Sequence, residues 1–280
     1  MVFRGSEAVR AGLLTTDQLR GPTVKRLFHD VYAPISVRDT HELRCEGAAL
    51  VLPPAAAITG RSAATLRGVD LARADEPVEV IAPAGTRVTR GSGIALRRTD
   101  IGDDEYCRWG RIGLAAPLRM TLDLLLGRSL PDGVADLDAA LRQGLVPLPA
   151  VQAMVAERSD KGIVAARRAV ELADPRAESR PESRVRVWLV VDGLCPQPQY
   201  WIEDSRGRLA RVDLAFPAQR VAVEYDGSWR DGERWALNRD RDRLNRVQAA
   251  CWEVVFVTAD MLRDPDRMVR TVRAALARRA

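Results

Sequence analysis

Residues 211–229, RVDLAFPAQRVAVEYDGSW, decide how the C-terminal part of this chain is read. Two runs of alternating residues flank PAQ, the pattern of a β-hairpin. Side chains alternate faces along a strand. Val212, Leu214 and Phe216 therefore share one face, and Arg211, Asp213 and Ala215 the other. In the second run Val221, Val223 and Tyr225 share a face, opposite Ala222, Glu224 and Asp226. Closing the hairpin around Ala218 and Gln219 sets Leu214 opposite Val223, Asp213 opposite Glu224 and Arg211 opposite Asp226. One register thus matches apolar with apolar and acidic with acidic. Directly opposed Cβ atoms lie roughly 4.5–5.5 Å apart, so Asp213 and Glu224 repel unless something relieves them. A hard divalent cation would do so through carboxylate oxygens. A solvated acidic face is the other reading, since one wet face is common in antiparallel sheets.

The flanking sequence extends the unit. Ser179-Arg180-Pro181-Glu182 has the S-x-x-E spacing of a capping box and opens a helix through SRVRVWLVVDG. PQYWIED reads as a strand before the hairpin. After it come a polar helix, ERWALNRDRDRLNRVQAA, an apolar strand, WEVVFVT, and a last helix, DPDRMVRTVRAAL. Residues 176–280 therefore read as α-β-β-β-α-β-α, and the fold class as α/β.

Upstream the pattern is mostly helical. LTTDQL offers Thr15 as N-cap with Gln18 three residues on. GPTVKRLF places Pro22 at a helix start, and HDVYAP reads as a short strand. Helix, helix and strand over 1–34 suggest a winged helix-turn-helix. Residues 35–175 read as mixed α/β: RCEGAALVL and TGRSAATLRGV as helices, PVEVIAP and IALRRTD as strands around the turn RGSG, then PLRMTLDLLL and VADLDAALRQG as helices. Residues 151–175 read as charged helix. ADPRAESRPES, polar and with two prolines, reads as a linker.

Composition narrows the class. The 280 residues are 46% hydrophobic and 29% charged, ordinary for a globular protein. No apolar run reaches membrane-spanning length and no secretory leader is visible, so the expectation is a cytoplasmic protein with no membrane partner. Cys45, Cys107, Cys195 and Cys251 are widely spaced and form no zinc motif. The net charge is +5, and most of the excess falls after residue 175, where 20 arginines meet 16 acids. Lys25 and Lys161 are the only lysines.

PESRVR, RVDLAF, VAVEYDG, RDRDRLN and WEVVFVT together resemble the nuclease-like domain family related to very-short-patch mismatch-repair endonucleases. That family belongs to the PD-(D/E)XK restriction-endonuclease-like superfamily. The resemblance covers roughly residues 176–280 and implies an Mg-dependent (or Mn-dependent) DNA endonuclease. It implies that Asp213 and Glu224 are metal ligands, with Glu182 and Asp226 completing the acidic set. Asp226 stands where the motif usually has lysine, and SWRDG follows where relatives often carry histidine. Arg230 is the nearest basic residue there. Arg230, Arg239 and Arg243 are the implied DNA contacts, although Asp240 and Asp242 also suit a solvated helix face. Trp229 and Trp235 suit base stacking or packing. Residues 1–150, through SEAVRAGLLTTDQLRG, DVYAP and LAAPLRMTLDLLL, resemble AbiEi-type antitoxins. This second resemblance implies a toxin or operon partner and leaves a second function open, a catalytically inactive DNA-binding antitoxin-like or regulatory protein.

Overall fold

The capping box near the N-terminus forms with both of its hydrogen bonds. The Thr15 amide donates to Gln18 Oε1 at 2.7 Å, and the Gln18 amide to Thr15 Oγ1 at 3.1 Å. It opens one 3-10 turn, Gln18–Arg20, and no longer helix. Strand β1 (Phe3–Arg4) and helix α1 (Gly5–Arg10) precede it; β2 (Val24–Phe28) and β3 (Val31–Pro34) follow. The helix expected behind Pro22 is thus a strand. β2 pairs with β3 and β3 with β1, and these cross-strand partners override the local proline signal.

The computed structural model describes residues 2–87, 93–204, 207–227 and 244–280. The further elements are α2 (His41–Val51), β4 (Ala57–Ile58), α3 (Gly60–Leu66), β5 (Val78–Ala82), β6 (Ile94–Arg98), β7 (Tyr106–Trp109), β8 (Ile112–Ala115), α4 (Pro117–Leu125), α5 (Leu130–Arg142), α6 (Leu148–Glu157), α7 (Ile163–Glu171), α8 (Arg180–Val191), β9 (Gln197–Asp204), β10 (Gly207–Phe216), β11 (Val221–Asp226), α9 (described over 244–249), β12 (Glu253–Thr258), α10 (Ala259–Arg263) and α11 (Pro265–Ala277). The class is mixed α/β. Two units cluster by contact, Met1–Gly127 with Gln143–Lys161, and Arg128–Arg142 with Gly162–Ala280. Residues 173–179, read from the sequence as part of a linker, run inside the second unit. The Asp174 amide donates to Asp138 Oδ1 at 2.6 Å, and Ala177 is buried.

The first unit holds the three-stranded sheet β1-β3-β2 and a five-stranded sheet ordered β6-β5-β4-β8-β7. β5 and β6 lie parallel, Val78 beside Ile94. The turn expected at RGSG falls largely outside the described residues. α2 touches strands of both sheets. An ion network closes one end of the unit. Buried Arg119 bonds Glu105 at 2.5 Å and Asp123 at 3.3 Å, and Asp123 also takes Arg97 and the Thr59 hydroxyl. Arg158 joins Glu105 at 2.9 Å to Asp160 at 2.8 Å. Glu105 resists protonation. Its burial pulls the other way but is outweighed by the Gly102 amide and by Arg119 and Arg158.

The second unit is built on the four-stranded sheet β12-β11-β10-β9. β9, β10 and β11 are antiparallel, and β12 runs parallel to β11. The hairpin register is the expected one: Leu214 pairs with Val223, Ala215 with Ala222 and Phe216 with Val221. One face buries Leu214, Phe216, Val221, Val223, Val255 and Val257 against α8, α10 and α11 through Val185, Leu189, Leu262, Met268 and Val272. Each fully buried aliphatic side chain of this kind contributes about 1.5–3 kcal/mol. On α8, the buried Arg186 donates to Asp138 Oδ2 on α5 at 2.8 Å. Losing either partner would leave an uncompensated buried charge.

Candidate functional site

The alternation assumed along β10 breaks at Asp213. Leu214 and Phe216 belong to the core under α8, but Val212 packs with Ile202, Ala210, Ala215, Ala222, Val247 and Trp252 in a second cluster. The expected common face of Val212, Leu214 and Phe216 is therefore corrected. The partner strand is irregular at the same level. Val212 pairs with Tyr200 and Leu214 with Pro198, so Gln199 stands opposite Asp213. Gln199 has φ 53. Among the described residues it is the one non-glycine with positive φ inside a strand; Asp30, Arg220 and Cys251 lie in turns. Left-handed backbone costs a non-glycine about 1–2 kcal/mol. It also reverses which side chains face which side.

Three features mark the surroundings of the carboxylates. First, the Gln199 side-chain amide donates to Glu182 Oε2 at 2.9 Å. Glu182, 9% exposed, also accepts from the Glu178 amide at 2.9 Å. The capping box is thus half formed. The Glu182 amide donates to Ser179 Oγ at 3.3 Å, while the Glu182 carboxylate is engaged by Glu178 and Gln199. Second, Asp213 reaches toward the neighbouring strand, where its Oδ2 accepts from the Tyr225 amide at 2.9 Å. It takes the place of a main-chain acceptor just beyond the last β10–β11 ladder pair. Third, Glu224 is 9% exposed, at the next position past Val223 and beside Phe256 of β12. Asp213 is half-buried and Asp226 exposed.

The β10–β11 ladder ends at Leu214–Val223, and Asp213 and Glu224 are the next residues along the two strands; Gln199 holds Glu182. Asp226, at the end of β11 beside Thr258, is not drawn in. Arg211, expected across from Asp226, gives its guanidinium to Glu178 at 2.6 Å. Arg230, Arg239 and Arg243, with Trp229 and Trp235, lie outside the described residues. Two carboxylates on neighbouring strands form a hard-oxygen donor pair that suits Mg²⁺. Among the described residues, no group of three or more His, Cys, Asp or Glu side chains is placed to hold a metal ion together. The expected set of Glu182, Asp213, Glu224 and Asp226 is thus not assembled as one group among the described residues.

Sequence reasoning missed Gln199. The signal available was CPQPQYW, where two prolines bracket Gln197 and mark an edge strand. It also missed Trp201, 40% exposed on the edge strand β9.

The chain matches no protein-family profile. It is 36% identical over 173 residues to two proteins of Mycobacterium tuberculosis, Uncharacterized protein MT2308 of strain CDC 1551 / Oshkosh and Uncharacterized protein Rv2248 of strain ATCC 25618 / H37Rv. The match covers 60% of this chain and 63% of each relative. The chain therefore spans less than two thirds of the length of these relatives. A solved structure, that of RV2827C protein from Mycobacterium tuberculosis, is similar over 73% of this chain and 84% of that one, with TM-score 0.40 and 12% identity. Among the described residues no helix is long and apolar enough to cross a membrane.

Proposed function

We propose that the second unit is a divalent-metal-dependent DNA endonuclease domain of the restriction-endonuclease-like kind. The observation that carries this reading is the placement of Asp213 and Glu224. They follow directly from the Leu214–Val223 ladder pair, and the Asp213 carboxylate bends across to β11. The element order α8-β9-β10-β11-α9-β12 and the sequence resemblance support it. Asp213 and Glu224 are the residues that would hold Mg²⁺ or Mn²⁺. The metal would supply an activated water and charge stabilisation at phosphorus. Asp213 Oδ2 accepts from the Tyr225 amide, which would orient its carboxylate for this role.

A second reading is an inactive DNA-binding relative. It is favoured by Asp226, a carboxylate where the motif has lysine, left exposed at the strand end. Lys161, the nearer of the two lysines in sequence, belongs to the first unit. The AbiEi-like reading of the first unit, with a toxin or operon partner, rests on sequence resemblance. The segment expected there as a recognition helix is β2, with Lys25 and Arg26 on a strand.

The test is cleavage of plasmid and oligonucleotide DNA with Mg²⁺ or Mn²⁺, comparing wild type with Asp213→Asn. Metal-dependent nicking lost in the variant supports the endonuclease. DNA binding without metal-dependent cleavage selects the inactive relative.

A further inference from the structure

Trp201 is a large aromatic side chain left 40% exposed on an edge strand, and it is not bare. The Arg208 guanidinium lies 5.0 Å from its ring centroid and that of Arg211 6.0 Å. Both arginine side chains are partly open to solvent, 66% and 42% exposed, while Arg208 lies 3.8 Å from Glu203 and Arg211 is paired with Glu178 at 2.6 Å. Beside the ring runs a cleft of about 580 Å³ whose walls include Tyr200, Trp201 and Trp252, with Arg220 at the hairpin turn and Glu203 and Asp204 at the strand end. Tyr200 and Trp252 pack against each other, with centroids 5.6 Å apart and the rings tilted by 37°. Trp201 pairs across the ladder with Arg211, two residues before Asp213.

Flat rings, exposed guanidinium groups and an open cleft have one shared ligand chemistry. Every nucleobase has a π face that stacks on tryptophan or on a guanidinium plane, and its phosphate pairs with arginine. Duplex DNA hides those faces, whereas an unpaired nucleotide offers them. We infer that Trp201, with Arg208 and the neighbouring cleft, is a stacking platform for unpaired nucleotides of single-stranded DNA. This rests on the proposed action on DNA and narrows it to substrates with a single-stranded segment.

The experiment is fluorescence anisotropy with labelled dC and dT 20-mers and a 20-bp duplex. It is run in EDTA so that no metal-dependent step intervenes, on the full chain and on Trp201→Ala and Trp201→Phe. The platform predicts that wild type prefers single strands and that affinity falls with salt. It predicts a loss of about 5-fold or more for Trp201→Ala. Trp201→Phe retains most of the binding, and the melting temperatures of all three proteins agree. Equal affinity of wild type and Trp201→Ala for single strands overturns the inference, and so does a wild-type preference for duplex. Because the assay excludes metal, either result is separable from failure of the Asp213–Glu224 site, which is read from cleavage.

Discussion

Gln199 stands opposite Asp213 in the β9–β10 ladder with left-handed backbone, and its amide holds Glu182 at 2.9 Å. The sheet changes faces at this pair, so apolar side chains on either side of it enter different clusters. The left-handed residue in β9 places the Gln199 side-chain amide on Glu182 of α8.

The strain at Gln199 makes an ordered prediction. Gln199→Gly relieves the left-handed backbone while losing one hydrogen bond, so its stability stays within about 1 kcal/mol of wild type. Gln199→Val loses the same bond and forces a β-branched residue into that conformation, costing about 2 kcal/mol or more. Urea denaturation of the three proteins gives the order. If valine is tolerated as well as glycine, the conformation assigned to Gln199 is wrong.

Acid should weaken the first unit. Asp160 is held below the usual carboxylate range first by its hydrogen bond to Arg158, against the opposing effect of burial. Glu105 is held low in the same sense. Both groups therefore bind protons more readily unfolded than folded. Their contribution is present above the unfolded carboxylate value, about 4, and is lost as pH falls through the lower folded value. Melting curves from pH 6 to pH 3 should show a smaller acid-induced loss in Asp160→Asn than in wild type. An unchanged slope would remove Asp160 from the network.

The four thiols should divide by burial. Cys45 is buried on α2, and burial, followed by the nearby Glu42, pushes its thiol up to about 12; Cys107, Cys195 and Cys251 are exposed. A chromogenic disulfide reagent at pH 8 should titrate three thiols in the native chain and the fourth only on unfolding. Rapid labelling of Cys45 would contradict the packing of α2.

Much of this was legible because it is local or periodic. The turn at Ala218–Gln219 and the pattern of valines fixed the hairpin register to the residue. The Thr15–Gln18 capping box needs only its spacing. What escaped depends on partners distant in sequence. Residues 24–28 carry no strict alternation, and only β3 makes them a strand. β4 is two residues long and is defined by its neighbours β5 and β8. Gln199 escaped because glutamine does not announce left-handed backbone as glycine or asparagine would. Without it, the face of Val212 and the true partners of Glu182 could not be read. The Leu214–Val223 pairing next to Asp213 and Glu224 was legible, but the exposure of Asp226 and the Arg211–Glu178 pair follow from the packed unit alone.

The most direct test of the central claim is isothermal titration of Mn²⁺ into the wild-type chain and into Asp213→Ala and Glu224→Ala, each shown to be folded by circular dichroism. The account predicts saturable binding in the wild type that is lost in both variants. No binding by the wild type, or equal binding by folded Asp213→Ala, would contradict it and leave these carboxylates with no metal to hold.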